Sequence, residues 1–591
     1  MPFDGLMLTA IKSELSKTLV GAKIDKIYQP AKTDIVLNIR HHRERYRLLL
    51  SAHSRDARVH LSTQPNENPT QPPTFCMVLR KHLEGGSIKE IEQPGLERVL
   101  KIHVAARDEL GRPSEKLLIC EIMGKHSNIL LVDPTVNIIT DGIRRYSHEV
   151  SRHREVLPGR PYIPAPAQNK LNPLQVDEDT FRNVIFAAPL ENRVVKVLQN
   201  GFEGLSTVMA REIVFRAQLS EELTVNYCGE HEMRVLWQAL QSLSVPASNG
   251  QFQSTIIEDS NKNPVEFAAF DLTILEGYTR HHGSPSEIAD NFFAAVKLID
   301  RFKGEIQSLK TKLNKEVKRL KKKMSLQTES ADTAQKAENY RVFGELLTAS
   351  IYRLDKGNTE IEVNNFYDPE GKSVVIPLDA RLSPAANAQS YFKKYVKAKK
   401  TRKAALEQAR KSKAELDYLQ GVLLNVKQAT SLVDLSEIRQ ELIEQGYIGD
   451  KNHKVPTKKE KKKTASPPLP FKSSDGFLIL VGRNNKQNDR LTMKLAKDND
   501  IWLHTKDIPG SHVIIKTQGM KVPDHTIHQA AVIAAFYSQA RDSQNVPVDY
   551  TPRKNVKKPR GAKPGYVIYE QQRTAVVTPD AKLISSLEQE D

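Results

Sequence analysis

The sequence predicts a multidomain α+β protein, and three features of the 591-residue chain lead to that class. Short alternating runs fill the first quarter, two long helical stretches occupy the middle, and a second group of strand and turn signals closes the chain. The length allows several separate cores, roughly four by the usual span of a domain. At 39% apolar and 27% charged residues the composition suits a chain with long exposed helices.

Residues 1–168 read as an antiparallel β-rich domain. An amphipathic segment at 6–19 precedes alternating runs at 23–29, 34–40, 46–51 and 57–61. A helix over 74–83 stops at Gly85-Gly86, and strands are expected at 87–91, 97–104, 117–122 and 128–132. Strands this closely spaced, with turns between them, pair antiparallel.

Residues 169–283 read as a helical, helix-hairpin-helix domain. In Asn200-Gly-Phe-Glu-Gly-Leu-Ser-Thr207 two glycines sit between helices. Gly201 and Gly204 either bring backbone N–H groups close to a phosphate at the start of the next helix or simply permit a tight turn.

Residues 284–432 read as a long antiparallel coiled-coil hairpin. Leu309, Leu313, Val317, Leu320 and Met324 recur at helical spacing, and Tyr391, Tyr395, Leu406, Leu416, Leu419 and Leu423 supply the returning stripe. A small β insert at 357–384 carries the alternating Ile361-Glu-Val363 and the turn signal Asp368-Pro-Glu-Gly371. Residues 310–323 hold eight basic side chains against Glu316, and 393–403 hold seven with no acid. Solvated helix faces usually mix signs, so these same-sign runs favour a polyanion. Lys318, Arg319, Lys393, Lys394, Lys399 and Lys400 are therefore candidate RNA contacts.

Residues 433–470 form a short helix and a basic linker with six lysines at 454–463. Residues 471–580 read as an α/β RNA-binding module. Trp502 and His504 could stack on bases beside phosphate-binding Lys557 and Lys558, although Ile501 and Leu503 mark a buried strand and favour Trp502 as a core residue. Residues 581–591 are a tail.

A net charge of +17 points to nucleic acid first and an anionic membrane second. No run approaches the ~18 apolar residues of a membrane span, and the start lacks the pattern of a secretory leader, so a cytoplasmic protein is expected. Cys76, Cys120 and Cys228 are too scattered for a disulfide framework or a cysteine zinc site. The adjacent pairs His41-His42 and His281-His282 diverge, so no metal is expected. Neither a phosphate-binding GxxxxGK[ST] loop nor a nucleophilic triad pattern occurs, which argues against bond chemistry of the protein's own.

Phe3-Asp-Gly5, Lys26-Ile-Tyr-Gln-Pro30, Leu49-Leu-Ser-Ala-His53, Phe75-Cys-Met-Val-Leu-Arg-Lys-His82, Glu121-Ile-Met-Gly-Lys-His-Ser-Asn128 and Leu157-Pro-Gly-Arg-Pro-Tyr162 together resemble the NFACT family. The likeness extends over nearly the whole chain, and 471–580 are similar to its RNA-binding module. The resemblance implies a ribosome quality control factor that binds obstructed large ribosomal subunits through rRNA and stalk-base proteins. It would recruit tRNA, alanyl-tRNA in bacteria, to the peptidyl-tRNA nascent-chain complex and direct untemplated alanine tailing, with a small RNA-binding helper protein as a further partner. The ribosome would make the bonds, no cofactor is implied, and no membrane is involved. The family's Asp-Arg pair, needed for tailing, matches Glu97 and Arg98 after the turn glycine Gly95, with Glu in place of Asp; Asp4 is a third residue linked to the same role. If a strand already begins there, Glu97 and Arg98 face opposite ways, and otherwise both sit in the turn. The residues alone also fit an internal ion pair bracing the amino terminus. Two other classes are a fibronectin-binding surface adhesin and a DNA-repair lyase using the amine of Pro2. For the lyase, Phe3 stands where such glycosylases carry a glutamate.

Overall fold

The computed structural model describes residues 3–108, 110–149, 154–166, 168–335, 337–449 and 467–588. Pro2 and the lysine-rich 454–463 lie outside the described residues. The chain divides into two compact units, Met1–Asp300 and Arg301–Asp591.

In the first unit α1 (Gly5–Leu19) leads into β1 (Lys23–Ala31), β2 (Asp34–His41), β3 (Glu44–Ser51) and β4 (Arg58–Leu61). After α2 (Thr74–Leu83) come β5 (Ser87–Glu92), β6 (Val99–Arg107), β7 (Pro113–Glu121), β8 (Asn128–Asp133) and β9 (Ile138–Gly142). All nine strands join one antiparallel sheet in the order β4-β3-β2-β1-β5-β6-β7-β8-β9. β6 begins at Val99, so Glu97 and Arg98 precede the strand expected to contain them. Alternation explains the layering: Ile24, Ile35, Leu37, Leu48, Leu50, Ile102 and Leu118 point to one face and are buried with Leu8, Ile11 and Leu15 of α1. Each fully buried aliphatic contributes roughly 1.5–3 kcal/mol.

Helices α3 (Glu178–Phe186), α4 (Val194–Gly201), α5 (Thr207–Arg216) and α6 (Glu230–Ser248) follow. The region read as wholly helical also contains a three-stranded antiparallel sheet of β10 (Thr255–Glu258), β11 (Pro264–Ala268) and β12 (Thr279–His282). Its strands are too short to show a period. Phe267 of β11 packs on Phe292 and Phe293, with ring centroids at 4.6 and 5.6 Å, which fixes the first turns of α7 (Pro285–Gln335).

In the second unit Leu309, Leu313 and Leu320 of α7 share a core with Leu416, Leu419, Val422 and Val426 of α9 (Pro384–Gln428). Higher numbers on one helix meet lower numbers on the other, and Ser412 Oγ donates to Gln327 Oε1 at 2.9 Å. Leu406, expected in this stripe, is exposed, because beyond that bond α7 carries Glu329, Ser330 and Thr333 in place of leucines. α8 (Ala337–Ala349) and the hairpin of β13 (Glu360–Asn364) and β14 (Ser373–Pro377) build a separate small core with Tyr391. α10 (Leu432–Glu444) adds Leu435, Ile438 and Leu442 to the hairpin's core.

The last domain holds β15 (Leu469–Lys472), β16 (Leu478–Val481), β17 (Ile501–Thr505), β18 (Val513–Lys516), β19 (Val546–Pro552), β20 (Val556–Lys557), β21 (Ile568–Tyr569) and β22 (Arg573–Val577). Six of them pair antiparallel in the order β15-β16-β18-β17-β19-β22. The module expected to mix helix and strand is an antiparallel sheet in which β18 lies between β16 and β17, with the alanine-rich helix Asp524–Phe536 against it. The stretch read as a tail forms a helix, Ala581–Leu587, whose Ile584 and Leu587 close this core.

Candidate functional site

Three glycines bring distant segments of the first unit to one point. Gly5 N–H donates to Gly204 O at 3.2 Å, and a Cβ on Gly5 would lie 2.0 Å from Leu96 O. Gly204 (φ +71°) and Gly95 (φ +51°) occupy the left-handed region that favours glycine. The turn at 94–98 closes through Glu97 N–H to Pro94 O at 2.9 Å, and Gln93 Nε2 ties it to α1 by donating to Gly5 O and Glu97 O at 3.0 and 2.9 Å. A cavity of about 680 Å³ opens beside this junction, lined by Asp4, Glu97, Arg98, Lys170, Glu203 and Ser206 among others.

Asp4 is the N-cap of α1, with Oδ1 accepting from Met7 N–H at 2.8 Å. Its Oδ2 accepts from Ser206 Oγ at 2.7 Å, and Ser206 is itself the N-cap of α5, accepting from Met209 N–H at 3.2 Å. One carboxylate therefore links two helix N-termini at the cavity wall. Burial pushes its carboxyl above the ordinary range, opposed by these hydrogen bonds and by the Arg98 guanidinium. For Arg98 the relation runs the other way: burial pulls it down and Asp4 opposes the fall. Asp4 thus caps α1 and holds Ser206 while the Arg98 charge acts on it from nearby.

Glu97 and Arg98 both sit in the turn, half-buried, and both line the cavity. The question of opposite strand faces does not arise. Burial, with Glu203 nearby, raises the Glu97 carboxyl above its ordinary 4.5. Lys170, whose Nζ donates to Gln199 O at 2.9 Å, is lowered by burial and by Arg98, while Glu203 opposes the shift. The site therefore alternates cations with carboxylates and adds the amides of Gln168, Asn169 and Asn200. A planar guanidinium suits a phosphate or a base edge, and carboxylates and amides suit exocyclic amines.

A group with a raised folded pKa gives stability that is present below its unfolded value and lost as pH rises through the folded one. Glu97→Gln is accordingly expected to melt above wild type at pH 8 and level with it at pH 4, as read by thermal unfolding at both values.

Gly201 does not line the cavity; a Cβ there would lie 2.4 Å from Val184 Cγ1, so its lack of a side chain lets α4 pack closely on α3. Gly204 lines the cavity and also needs its lack of Cβ to pass Leu96. Sequence reasoning missed Glu203, Lys170 and Ser206. Ser206 had a legible signal, a serine directly before a helix. Glu203 and Lys170 had none, since their role depends on a contact with the 94–98 turn.

Two motifs singled out in the sequence converge on one buried carboxylate. Arg154 meets Glu121 through two hydrogen bonds of 2.7 and 2.5 Å, and Tyr162 O–H donates to the same carboxylate at 3.1 Å.

The second unit places the remaining candidates. Lys318, Lys393, Lys399 and Lys400 are exposed, and Arg319 is exposed while pairing with Glu316 at 2.8 Å. Lys394 lies 4.8 Å from the Tyr391 ring centroid. Trp502 is fully buried against Tyr569, with centroids 4.8 Å apart, so it belongs to the core and offers no stacking platform. His504 is half-buried in the same cluster, where burial lowers its pKa. Lys557 is exposed, but Lys558 is bound to Asp489.

Two family models together match most of the chain. The family model of NFACT N-terminal and middle domains matches residues 4–463, and that of the NFACT protein RNA binding domain matches 468–571. The Rqc2 homolog RqcH of Bacillus subtilis (strain 168) is 41% identical over 589 residues, covering 99% of this chain and 100% of that protein. The Rqc2 homolog RqcH of Streptococcus suis is 36% identical over 588 residues, with 99% and 100% covered. A solved structure of the N-terminal part of the fibronectin/fibrinogen-binding protein from Streptococcus suis is 33% identical, with a TM-score of 0.41, covering 49% of this chain and 99% of that one.

Proposed function

The chain belongs to the NFACT family, and on that footing we propose that it acts as a ribosome quality control factor. It binds obstructed large ribosomal subunits that retain peptidyl-tRNA, recruits alanyl-tRNA and directs untemplated alanine tailing of the stalled chain in the cytoplasm. Peptide bonds are made by the ribosome, and this protein supplies binding and position.

The observation that carries this reading is the meeting of Asp4, Glu97 and Arg98 at one cavity, together with the turn before α5. Residues 4, 97–98 and 203–207 are remote in sequence, and their junction builds a surface of mixed donors and acceptors suited to unpaired nucleotides. Arg98 takes a phosphate or a base edge in its fork, Asp4 sets the direction of that fork, and Glu97 accepts from a base amine. The exposed lysines of α7 and α9 supply sequence-independent attraction to rRNA, which weakens as salt rises.

The test is Arg98→Ala. The variant is expected to co-sediment with large subunits at wild-type levels while tRNA binding falls by about 1–3 kcal/mol, the worth of one bidentate contact. Tails on a stalled reporter should disappear from immunoblots. Wild-type tailing by the variant would rule out the cavity as the tRNA site.

A further inference from the structure

The C-terminal domain presents an array of hydrogen-bond donors at 483–487, and within the second unit these donors land on carboxylates. Asn484 Nδ2 and Gln487 Nε2 both donate to Glu437 Oε2, at 2.6 and 3.0 Å. Asn485 Nδ2 donates to Glu441 Oε1 at 3.0 Å, Lys486 Nζ lies 2.8 Å from Glu444 Oε2, and Arg483 Nη1 lies 3.5 Å from Asp434 Oδ2. The four acids stand at steps of three, four and three residues, so they form a single stripe down α10. At the end of the seam Lys563 is held between the rings of Tyr418 and Tyr447, 4.5 and 4.8 Å from their centroids.

The chemistry of the two sides is one-sided. One face carries guanidinium, ammonium and amide donors, and the other carries carboxylates at about 5–6 Å intervals. That donor inventory is the one proteins use to grip a phosphodiester backbone. The seam also lacks an apolar centre among the described residues. The hairpin's core and the domain's cores are separate clusters, and none draws members from both sides. A seam of charges without apolar filling is a weak permanent joint, because water screens its exposed pairs and desolvation offsets much of the attraction of its buried ones.

We propose that the 483–487 face is a binding face for RNA phosphates, and that the carboxylate stripe of α10 fills it as an intramolecular stand-in for a phosphate backbone. RNA binding by this domain then requires its release from α10. Apparent affinity falls by the fraction of molecules in the released state, so a domain docked nine-tenths of the time would bind about ten-fold more weakly than its free face allows.

The test uses the full-length chain and a fluorescein-labelled single-stranded RNA read by anisotropy. Combined Glu437→Gln, Glu441→Gln and Glu444→Gln should bind at least about five-fold tighter than wild type. Adding Arg483→Gln and Lys486→Gln should abolish that gain. Unchanged or weaker binding by a folded triple variant overturns the proposal, as does a gain that persists without Arg483 and Lys486. Should the glutamines unfold the seam, a second variant decides. Glu444→Cys with Lys486→Cys, joined by a short bismaleimide, is compared with the same protein capped by N-ethylmaleimide; Cys76, Cys120 and Cys228 are buried. The joined form should bind RNA several-fold more weakly. Equal affinities overturn the proposal.

Discussion

Arg154→Ala is expected to destabilise the first unit by about 3–5 kcal/mol, the cost of leaving one member of a buried ion pair without its partner. Glu121 is fully buried and Arg154 is 6% exposed. The guanidinium also donates to Ile163 O at 2.9 Å, so its loss strips a carbonyl as well as a carboxylate. Tyr162 cannot neutralise Glu121 by a single hydrogen bond. Urea unfolding followed at Trp237 in a Trp502→Phe background would read the loss. The pair Glu121→Gln with Arg154→Met should cost far less than Arg154→Ala, because it removes both charges together.

Gly5→Ala should cost about 3 kcal/mol, at the upper end for a crowded substitution. The new Cβ would stand 2.0 Å from Leu96 O and 2.6 Å from Gly204 Cα, and both are backbone that no rotamer change can move aside. The 94–98 turn must then shift, taking Glu97 and Arg98 out of the cavity wall. Tailing should fall with stability. Gly304→Ala is the control: nothing lies within 4 Å of its Cβ position, so a small gain of roughly 0.5–1 kcal/mol is expected in the same thermal unfolding measurement.

Much of the architecture was written in local pattern. Alternation placed the strands from Lys23 to Asp133 with ends within four residues, and the leucines from Leu309 to Leu320 marked the seam of α7. The failures share a cause. β10 to β12 are too short for a period, and Leu406 has the right spacing but meets no apolar surface. Charge was legible as a total and illegible as an assignment. Lys558 and Lys563 sit in a run of cations, yet Asp489 engages one and two tyrosines the other. At the cavity the family likeness pointed to Asp4, Glu97 and Arg98, while Lys170 and Glu203 became visible only once Gly5 and Gly204 had brought their segments together.

On the proposed function, the cavity at Arg98 reads tRNA while other surfaces hold the ribosome. Tagged wild-type and Arg98→Ala proteins, purified from cells and sequenced for bound RNA, test it most directly. Wild type should carry large-subunit rRNA with one enriched tRNA family, tRNA-Ala, and the variant should keep the rRNA and lose the tRNA. Equal tRNA enrichment in both would contradict it.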